Sequence, residues 1–131
     1  MSAEQNKEIV RQMIAAHAAG DLQGFARYLA DDCEWRYMVE DERLRQIRTK
    51  EQLIASWEAG ADQTIDGLHL ETTSMIAEGD QVNVELTARG QLKNGKNYHN
   101  RVVFAFVLRD RKIVEGREYI DSAHVAKIWG G

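Results

Sequence analysis

The fold of this chain is decided by one hairpin, which reads Tyr98-His-Asn-Arg-Val-Val-Phe-Ala-Phe-Val-Leu-Arg-Asp-Arg-Lys-Ile-Val-Glu-Gly-Arg-Glu-Tyr-Ile-Asp121. The alternation predicts two long strands joined by a tight turn at 109–112. In the first strand the more apolar face, expected to meet the core, consists of Asn100, Val102, Phe104, Phe106 and Leu108. The second strand carries ionisable residues at 115, 117, 118 and 121. Such groups either stay in water or occupy a pocket that shifts their pKa values, and the function depends on which is true.

The turn decides which of these side chains face the core. A two-residue loop pairs Leu108 with Ile113 and directs the odd-numbered residues 117–121 inward. One more residue in the turn directs the even-numbered residues 114–120 inward, among them Glu118. Position 111 is arginine, and a non-glycine residue in a left-handed conformation costs about 1 kcal/mol, which favours a turn of another type. The even-numbered face is the more apolar, but both registers stay open.

The composition is typical of an ordinary globular protein and predicts a single domain over 1–131. Of the 131 residues, 44% are apolar and 29% are charged, enough for a proper core. The net charge of −4, without a basic run, argues against nucleic acid as a partner. The lone Cys33 excludes an intrachain disulfide and fits a reducing cytoplasm. No apolar run reaches membrane-spanning length and the first residues do not resemble a secretion signal, so we expect a cytoplasmic protein without a membrane partner.

The rest of the chain predicts helices first and strands second. Residues 4–19 predict a helix; a second helix, capped by Asp21 and with Leu29 in its buried stripe, is expected to stop at 31–32. A short strand is predicted at 33–38, and a capping box at Thr49–Gln52 begins a third helix. Strands at 68–77 and 81–92 precede the hairpin, and Ser122 is the predicted cap of a final helix. This order predicts an α+β fold with an antiparallel sheet and helices on one side.

The segment 39–48 is rich in charge and has little periodicity, so it predicts a loop, interpreted as a flap over whatever Trp35 and Tyr37 line.

Several motifs together resemble the SnoaL-like proteins of the nuclear-transport-factor-2-like superfamily. They are Ala-Gly-Asp-Leu-x-Gly-Phe at 19–25, Asp-Asp-Cys-Glu-Trp at 31–35, Asn-Gly-Lys-x-Tyr at 94–98, Arg-Asp-Arg-Lys-Ile at 109–113 and Arg-Glu-Tyr-Ile-Asp-Ser at 117–122. The resemblance covers nearly the whole chain. It implies a curved antiparallel sheet wrapped around the N-terminal helices, forming a cone with a mostly apolar internal cavity, and a homodimer packed through the sheet. The superfamily includes ketosteroid isomerase and limonene epoxide hydrolase, and its fold hosts enzymes, binding modules and assembly domains alike.

The resemblance to epoxide hydrolase implies roles for particular residues. Glu118 falls on a catalytic carboxylate position that faces the cavity, which favours the second hairpin register. Trp35 and Tyr37 fall on the positions that hold the attacking water, and Val102 falls on a lining position. Arg89 falls on the arginine that bridges two acids in that enzyme. The second acid falls near position 91, where this chain has a glutamine that cannot take a proton.

The resemblance to ketosteroid isomerase fails at the chemistry, because Met13 stands at the oxyanion tyrosine position and Tyr37 at the base position. The polyketide cyclases of the family use an aspartate as acid and base, a role open to Asp121 or Glu118. The candidate catalytic residues are therefore Glu118, Arg89, Tyr37 and Asp121. The candidate substrate-binding residues are Trp35, Asn100, Val102, Phe104, Ile120, Met13, His17 and Trp57.

Each candidate has a structural alternative. Glu118 fits a surface or paired carboxylate, Asp121 fits a helix cap or a partner of Arg117, and the aromatic residues fit the core. His17 fits a buried, hydrogen-bonded histidine. The four histidines are scattered, which argues against a metal site, and no phosphate-binding loop or nucleophile elbow is present, so no cofactor is predicted.

Three functions remain as hypotheses. The first is a small cofactor-free enzyme that acts on an apolar, oxygen-containing molecule by acid/base chemistry, as an isomerase, cyclase or hydrolase. The second is a small-molecule-binding module without chemistry, which the missing second acid favours. The third is a dimerising interaction domain whose own side chains fill the cavity; it requires Glu118 to face solvent.

Overall fold

The computed structural model describes residues 2–129, and its elements follow the predicted order. The helices are α1 (Ala3–Ala18), α2 (Leu22–Ala26), α3 (Lys50–Asp62) and α4 (Ser122–Trp129). The strands are β1 (Leu29–Tyr37), β2 (His69–Glu78), β3 (Gln81–Gln91), β4 (Asn97–Arg109) and β5 (Lys112–Tyr119). The strands form one curved sheet in the order β1-β5-β4-β3-β2, and the fold class is α+β as predicted. No helix in this part of the chain is long and apolar enough to cross a membrane.

The sheet buries one face against the helices, which we call the inner face, and leaves most of the outer face exposed or half-buried. On β3 and β4 the buried and exposed residues alternate strictly over most of their length, because successive side chains of a strand point to opposite faces. Burying each large apolar side chain stabilises the fold by about 1.5–3 kcal/mol. The inner face of these two strands is formed by Val82, Val84, Leu86, Ala88, Tyr98, Asn100, Val102, Phe104, Phe106 and Leu108.

The helices begin where the sequence places their caps. The predicted capping box at Thr49 and Gln52 is present at the start of α3, and a second one, at Ser2 and Gln5, starts α1. In each box the hydroxyl accepts from one unpaired backbone amide and the glutamine side chain accepts from another. Asp21 caps α2 by accepting a 2.7 Å hydrogen bond from the Gly24 amide, as predicted.

One edge of the sheet differs from the purely antiparallel arrangement that was predicted. β1 pairs with β5 in parallel, with Trp35 opposite Gly116 and Tyr37 opposite Glu118. Parallel neighbours require a long crossover, and here α3 and three strands lie between the two in sequence. The sheet is therefore mixed, and the parallel edge is what brings Tyr37 beside Glu118.

The boundary between α2 and β1 also differs from the prediction. Leu29 lies in β1, where it is fully buried and pairs with Ile113, and not in the stripe of the second helix. Asp31 and Asp32 do not stop a helix; they lie within the strand with exposed side chains. The register between β1 and β5 shifts between Leu29 and Glu34, which hides the period of two from the sequence.

The hairpin combines both registers that the sequence left open. Leu108 pairs with Ile113, and the two loop residues Asp110 and Arg111 have φ values of 52° and 68°, as in a type I′ turn. The register then shifts between Val107 and Leu108, so that one extra residue is accommodated on β5. That bulge, and not a longer turn, directs the side chains of 116 and 118 to the inner face.

Candidate functional site

Glu118 is the carboxyl group that the fold places in the core. It lies on the inner face of β5 opposite Phe104, and only 8% of its surface is exposed. The Trp35 indole Nε1 donates a 3.2 Å hydrogen bond to Glu118 Oε1. Burial raises the pKa of Glu118 to about 8, and this effect exceeds the opposing effects of the indole hydrogen bond and of the positive charge of Arg48. The carboxyl is therefore suited to give and take a proton near neutral pH.

Trp35 reaches this carboxyl because the neighbouring strand carries a glycine. Trp35 lies beside Gly116 in the β1–β5 register, and a Cβ at position 116 would lie 2.4 Å from the indole ring. The ring is fully buried, with its centroid 5.4 Å from that of Phe104 and 5.7 Å from that of Phe106. Trp35 is thus a core residue whose indole nitrogen donates to Glu118, and its contact with substrate stays a prediction.

Tyr37 lies next to Glu118 on the parallel strand and is half-buried. Its Oη accepts a 2.8 Å hydrogen bond from Trp57 Nε1, which leaves the hydroxyl proton of Tyr37 free to donate to another group. Burial, helped by the negative charge of Glu118 when ionised, raises the pKa of Tyr37 above its usual range. The phenol therefore stays protonated and is suited to donate a hydrogen bond.

An aromatic cluster fills the space between these groups and the helices. Trp57 on α3 lies 5.3 Å from Trp35 and 5.1 Å from Phe25, centroid to centroid. His17 on α1 packs edge-on against Trp57 at 5.2 Å, its Nδ1 has no hydrogen-bond partner in the described part of the chain, and burial lowers its pKa. The interior is therefore packed with rings, but Glu118 does not face solvent, so the condition for the interaction-domain hypothesis is met only in part.

The structure does not bring Arg89 to this site, which corrects its predicted role as a partner of Glu118. Arg89 is exposed on the outer face of β3, opposite His99, and its neighbour Ala88 is the residue that faces inward. Because side chains alternate along a strand, Arg89 and Glu118 lie on opposite faces of the sheet. Gln91, at the position of the second acid, is likewise exposed on the outer face.

Asp121 and Asn100 hold the connection between β5 and α4. Asp121 is exposed, and its Oδ1 accepts a 3.2 Å hydrogen bond from the His124 amide, so it caps α4 in place of the predicted Ser122, which is the first residue of the helix. Asn100 is buried and uses both ends of its side-chain amide on the backbone of Asp121, at 3.0 and 3.2 Å. The structure thus gives the catalytic candidate Asp121 the capping role, and Asn100 the role of fixing that cap.

The remaining candidates lie on or near the inner face. Val102 and Phe104 are buried on β4 as expected, and Ile120 is half-buried just after β5 ends at Tyr119. Met13 is fully buried on α1, where it packs in the core.

One residue at the site was missed from the sequence, namely Arg48 at the end of the predicted flap. Its backbone forms two hydrogen bonds with that of Trp35, at 2.9 and 3.0 Å, and its guanidinium carbon lies 4.8 Å from the centre of the Tyr37 ring. The flap interpretation placed this segment near the correct residues. It did not single out Arg48 among the charged residues of the segment, because a loop has no period that shows which side chain faces inward.

Glu118 does not line either of two surface cavities. One of about 450 Å³ lies on the outer face, where Arg101, Val103 and Tyr119 line it together with Val102 and Ile120, two of the predicted substrate-binding residues. The other, of about 220 Å³, lies near Leu29 and the β4–β5 turn. Neither is the predicted apolar cavity of the cone, so the predicted pocket stays a prediction.

Solved structures resemble this fold over almost its whole length. AclR from Streptomyces galilaeus, a proposed hydroxylase, is 21% identical with a TM-score of 0.83, and the match covers 98% of this chain and 87% of that one. A nuclear-transport-factor-2-like protein from Burkholderia xenovorans LB400 is 28% identical with a TM-score of 0.74 over 98% of both chains. A proposed isomerase from Bacillus subtilis is 19% identical with a TM-score of 0.79, covering 100% of this chain and 97% of that one.

No curated protein matches the chain significantly. The SnoaL-like domain model matches residues 10–116. Because this match spans most of the sequence and agrees with the mixed sheet and its helices, the protein belongs to the SnoaL-like domain family.

Proposed function

We propose that the protein is a small enzyme that needs no cofactor and moves a proton on an apolar, oxygen-containing small molecule, as an isomerase, a cyclase or a hydrolase. One observation carries this proposal: Glu118 is buried on the inner face, its only side-chain hydrogen bond in the described part of the chain comes from Trp35, and burial raises its pKa to about 8. A carboxyl group in these surroundings is mostly protonated at neutral pH, and it still ionises within the physiological range.

Glu118 would act first as the acid. It gives its proton to the substrate, and the carboxylate that remains is stabilised by the Trp35 hydrogen bond and by the charge of Arg48, both of which lower its pKa. The carboxylate then takes a proton from another substrate atom in an isomerisation or cyclisation, or from water in a hydrolysis. Proton transfer of this kind contributes about 10²- to 10⁴-fold to a rate.

Tyr37 would hold the substrate oxygen. Its hydroxyl already accepts from Trp57, which fixes its direction, and its own proton remains to donate. A neutral donor that does not ionise stabilises negative charge that develops on an oxygen during the reaction. Val102 and Phe104, on the same face as Glu118, would provide the apolar wall.

The proposal is tested by measuring turnover of epoxides, lactones and enones with the wild type, Glu118→Gln and the control Glu85→Gln. Glu85 is exposed on the outer face of β3, so its variant makes the same chemical change away from the site. We expect Glu118→Gln to lower turnover by about 10²-fold or more and Glu85→Gln to leave it unchanged. Unchanged turnover in Glu118→Gln would exclude Glu118 from the mechanism.

A binding module without chemistry is the second candidate, because the site has one carboxyl group where the epoxide hydrolase arrangement needs two acids. Asp121 caps α4, and position 91 is an exposed glutamine. Tight binding of a compound that the wild type never converts, with equal affinity in Glu118→Gln, would favour this second function.

We also propose that the outer face of the sheet binds a second copy of this chain. Tyr119 is 43% exposed there and, with Val103, lines the 450 Å³ cavity. The surface therefore offers both apolar area and a concavity to the side chains of a second copy. Analytical ultracentrifugation should detect a dimer that Val103→Glu converts to monomers. A wild type that stays monomeric at high concentration would contradict this expectation.

A further inference from the structure

The flap, residues 39–48, contains arginines with two different kinds of partner. Arg43 lies 2.9 Å from Asp41, and Arg45 lies 3.4 Å from Glu40, so both are paired with carboxylates. Arg48 has no carboxylate within 4.0 Å among residues 2–129. Arg43 is largely exposed, whereas Arg48 is half-buried. A partly buried cation without a counter-ion is uncommon, because removing it from water is unfavourable unless another group compensates for its charge.

The position of Arg48 is fixed by backbone contacts. Its amide and carbonyl pair with those of Trp35, so the end of the flap is attached to β1. Its Nη1 donates to the carbonyl oxygens of Leu44 at 2.8 Å and Gln46 at 3.2 Å. In the described part of the chain its Nε and Nη2 form no hydrogen bond, so one edge of the guanidinium is available to a ligand. The guanidinium carbon lies over the ring of Tyr37, 4.8 Å from the ring centre.

The groups around Arg48 leave its charge uncompensated. Glu118 on β5 is mostly protonated at neutral pH, because burial raises its pKa to about 8. Burial also keeps Tyr37 on β1 and Tyr98 on β4 protonated, since it raises the pKa of both phenols. His17 on α1, which reaches Tyr37 through Trp57, is kept neutral because burial lowers its pKa. The site therefore holds one positive charge beside aromatic rings.

We propose that Arg48 makes this site selective for a flat aromatic molecule that carries one negative charge, such as a carboxylate or an ionised phenol or enol. The anion would bind the free edge of the guanidinium, and the ring of the ligand would pack against Tyr37 and Trp57. This inference rests on the site of the proposed function and names its substrate class. A charged hydrogen bond of this kind is expected to favour the anion over a neutral analogue by about ten- to a hundredfold in affinity.

The test compares three probes of the same shape by isothermal titration calorimetry at about pH 6: naphthalene-2-carboxylate, naphthalene-2-carboxamide and naphthalen-2-ylmethylammonium. We expect the wild type to bind the carboxylate at least about tenfold more tightly than the amide, and the ammonium most weakly. Arg48→Gln should bind the carboxylate and the amide equally, and Arg48→Lys should keep part of the preference. Arg45→Gln is the matched control, since it removes a flap arginine of the same charge, and it should behave as the wild type.

Three results would overturn the proposal: no measurable binding of the carboxylate, equal binding of the ammonium, or a preference for the anion that persists in Arg48→Gln. If Arg48→Gln does not fold, Arg48→Lys decides, because an unchanged carboxylate preference there shows that the guanidinium edge is not used. The Glu118→Gln variant separates this inference from the proposed function. Its carboxylate affinity should equal that of the wild type at about pH 6 and exceed it at about pH 9.5, where Glu118 is ionised in the wild type, whatever its turnover.

Discussion

Each face of the sheet carries a glutamate, Glu85 on the outer face and Glu118 on the inner face, and the two have different surroundings. On the outer face of β3 and β4, residues such as Glu85, Arg89 and Arg101 are exposed, and water solvates their charges. On the inner face of β5, Glu118 is 8% exposed and its pKa is raised to about 8. The residue type is the same for Glu85 and Glu118, so the chemical difference comes entirely from which face each occupies.

A single extra residue decides that difference. The register shift between Val107 and Leu108 lets β5 accommodate one additional residue after the tight turn. Without it, the period of two would send Glu118 to the outer face and direct Arg117 inward. The bulge is thus the feature that places this carboxyl group in the core and makes it a candidate acid.

The largest effect is expected from removing an inner-face ring. Phe104→Ala leaves a cavity beside Glu118 and Trp35, and we expect a loss of about 3–5 kcal/mol in the free energy of unfolding. Arg101→Ala, on the outer face of the same strand, should change it by no more than about 0.5 kcal/mol. Urea denaturation of both variants measures this. Equal losses would show that the two faces of β4 are not different in burial.

The second-largest effect is expected in the pH dependence of stability, which should involve Glu118 on the inner face and not Glu85 on the outer face. Glu118 has a pKa of about 8 in the folded protein against 4.5 in the absence of structure, so the folded state binds its proton more tightly. Its contribution to the free energy of unfolding is complete below pH 4.5 and is lost as the pH rises through 8, by about 1.4 kcal/mol per pH unit between these values.

Urea denaturation from acid to alkaline pH measures the free energy of unfolding of the wild type and of each variant, and the variant's value is subtracted from that of the wild type. In Glu118→Gln the decline in stability with rising pH should be absent, so the difference should fall as the pH rises. In Glu85→Gln the decline should remain, so the difference should be flat. His17 acts in the opposite direction, because its lowered pKa gives stability that is lost as the pH falls below its usual value of 6.5, and the subtraction cancels its effect. A difference curve for Glu118→Gln that is flat across this range would contradict the raised pKa.

An intermediate effect is expected where Trp35 packs on β5. Gly116→Ala places a methyl group 2.4 Å from the indole, so the ring must move, and we expect a loss of about 1–3 kcal/mol together with a change in the near-ultraviolet circular dichroism of the tryptophans. Gly60→Ala on α3 is the control: its Cβ would lie 3.9 Å from Trp129, and it should be neutral or stabilising by up to about 1 kcal/mol. An unperturbed tryptophan signal in Gly116→Ala would show that the close contact is not maintained in solution.

The smallest effect concerns the turn that precedes the bulge. Arg111 has a φ of 68°, a conformation that glycine adopts without strain, so Arg111→Gly should stabilise the protein by about 1 kcal/mol. Gly79→Ala makes the opposite change in the β2–β3 turn, where φ is 60° and nothing lies within 4 Å of the added methyl, and should destabilise by about the same amount. Thermal unfolding of both variants measures this, and a destabilised Arg111→Gly would mean that the arginine side chain has a role in the turn.

Local patterns predicted much of the fold. The strict alternation of β3 and β4 and the capping box at Thr49 are patterns of a few residues, and each was found where it was expected. The α2–β1 boundary was wrong because Leu29 is apolar in either interpretation, and only its pairing with Ile113 on a distant strand makes it part of β1. The parallel β1–β5 edge was missed for the same reason, since it joins segments far apart in sequence.

The residues of the candidate site were also predicted only in part. The sequence and its resemblance to the SnoaL-like proteins gave Glu118, Tyr37, Trp35 and Trp57 as candidates, and the structure brings these side chains into contact. The prediction for Arg89 was wrong because it followed the resemblance to epoxide hydrolase and not the alternation of β3, which places Arg89 on the outer face. Arg48 was missed because its position depends on backbone pairing with Trp35, which joins the flap to β1. No periodic pattern in the sequence indicates this pairing.

By itself the sequence determined the class of fold, the order of its elements and the apolar face of the sheet, because propensity, capping and alternation act over short distances. Tertiary structure alone decided which way Glu118 faces and which arginine stands near it. A bulge reverses the face of a strand without changing its composition, and a parallel partner strand brings Tyr37 beside the carboxyl across the sheet. Burial then supplies the chemistry, since the raised pKa of Glu118 arises from the removal of water and not from the residue itself.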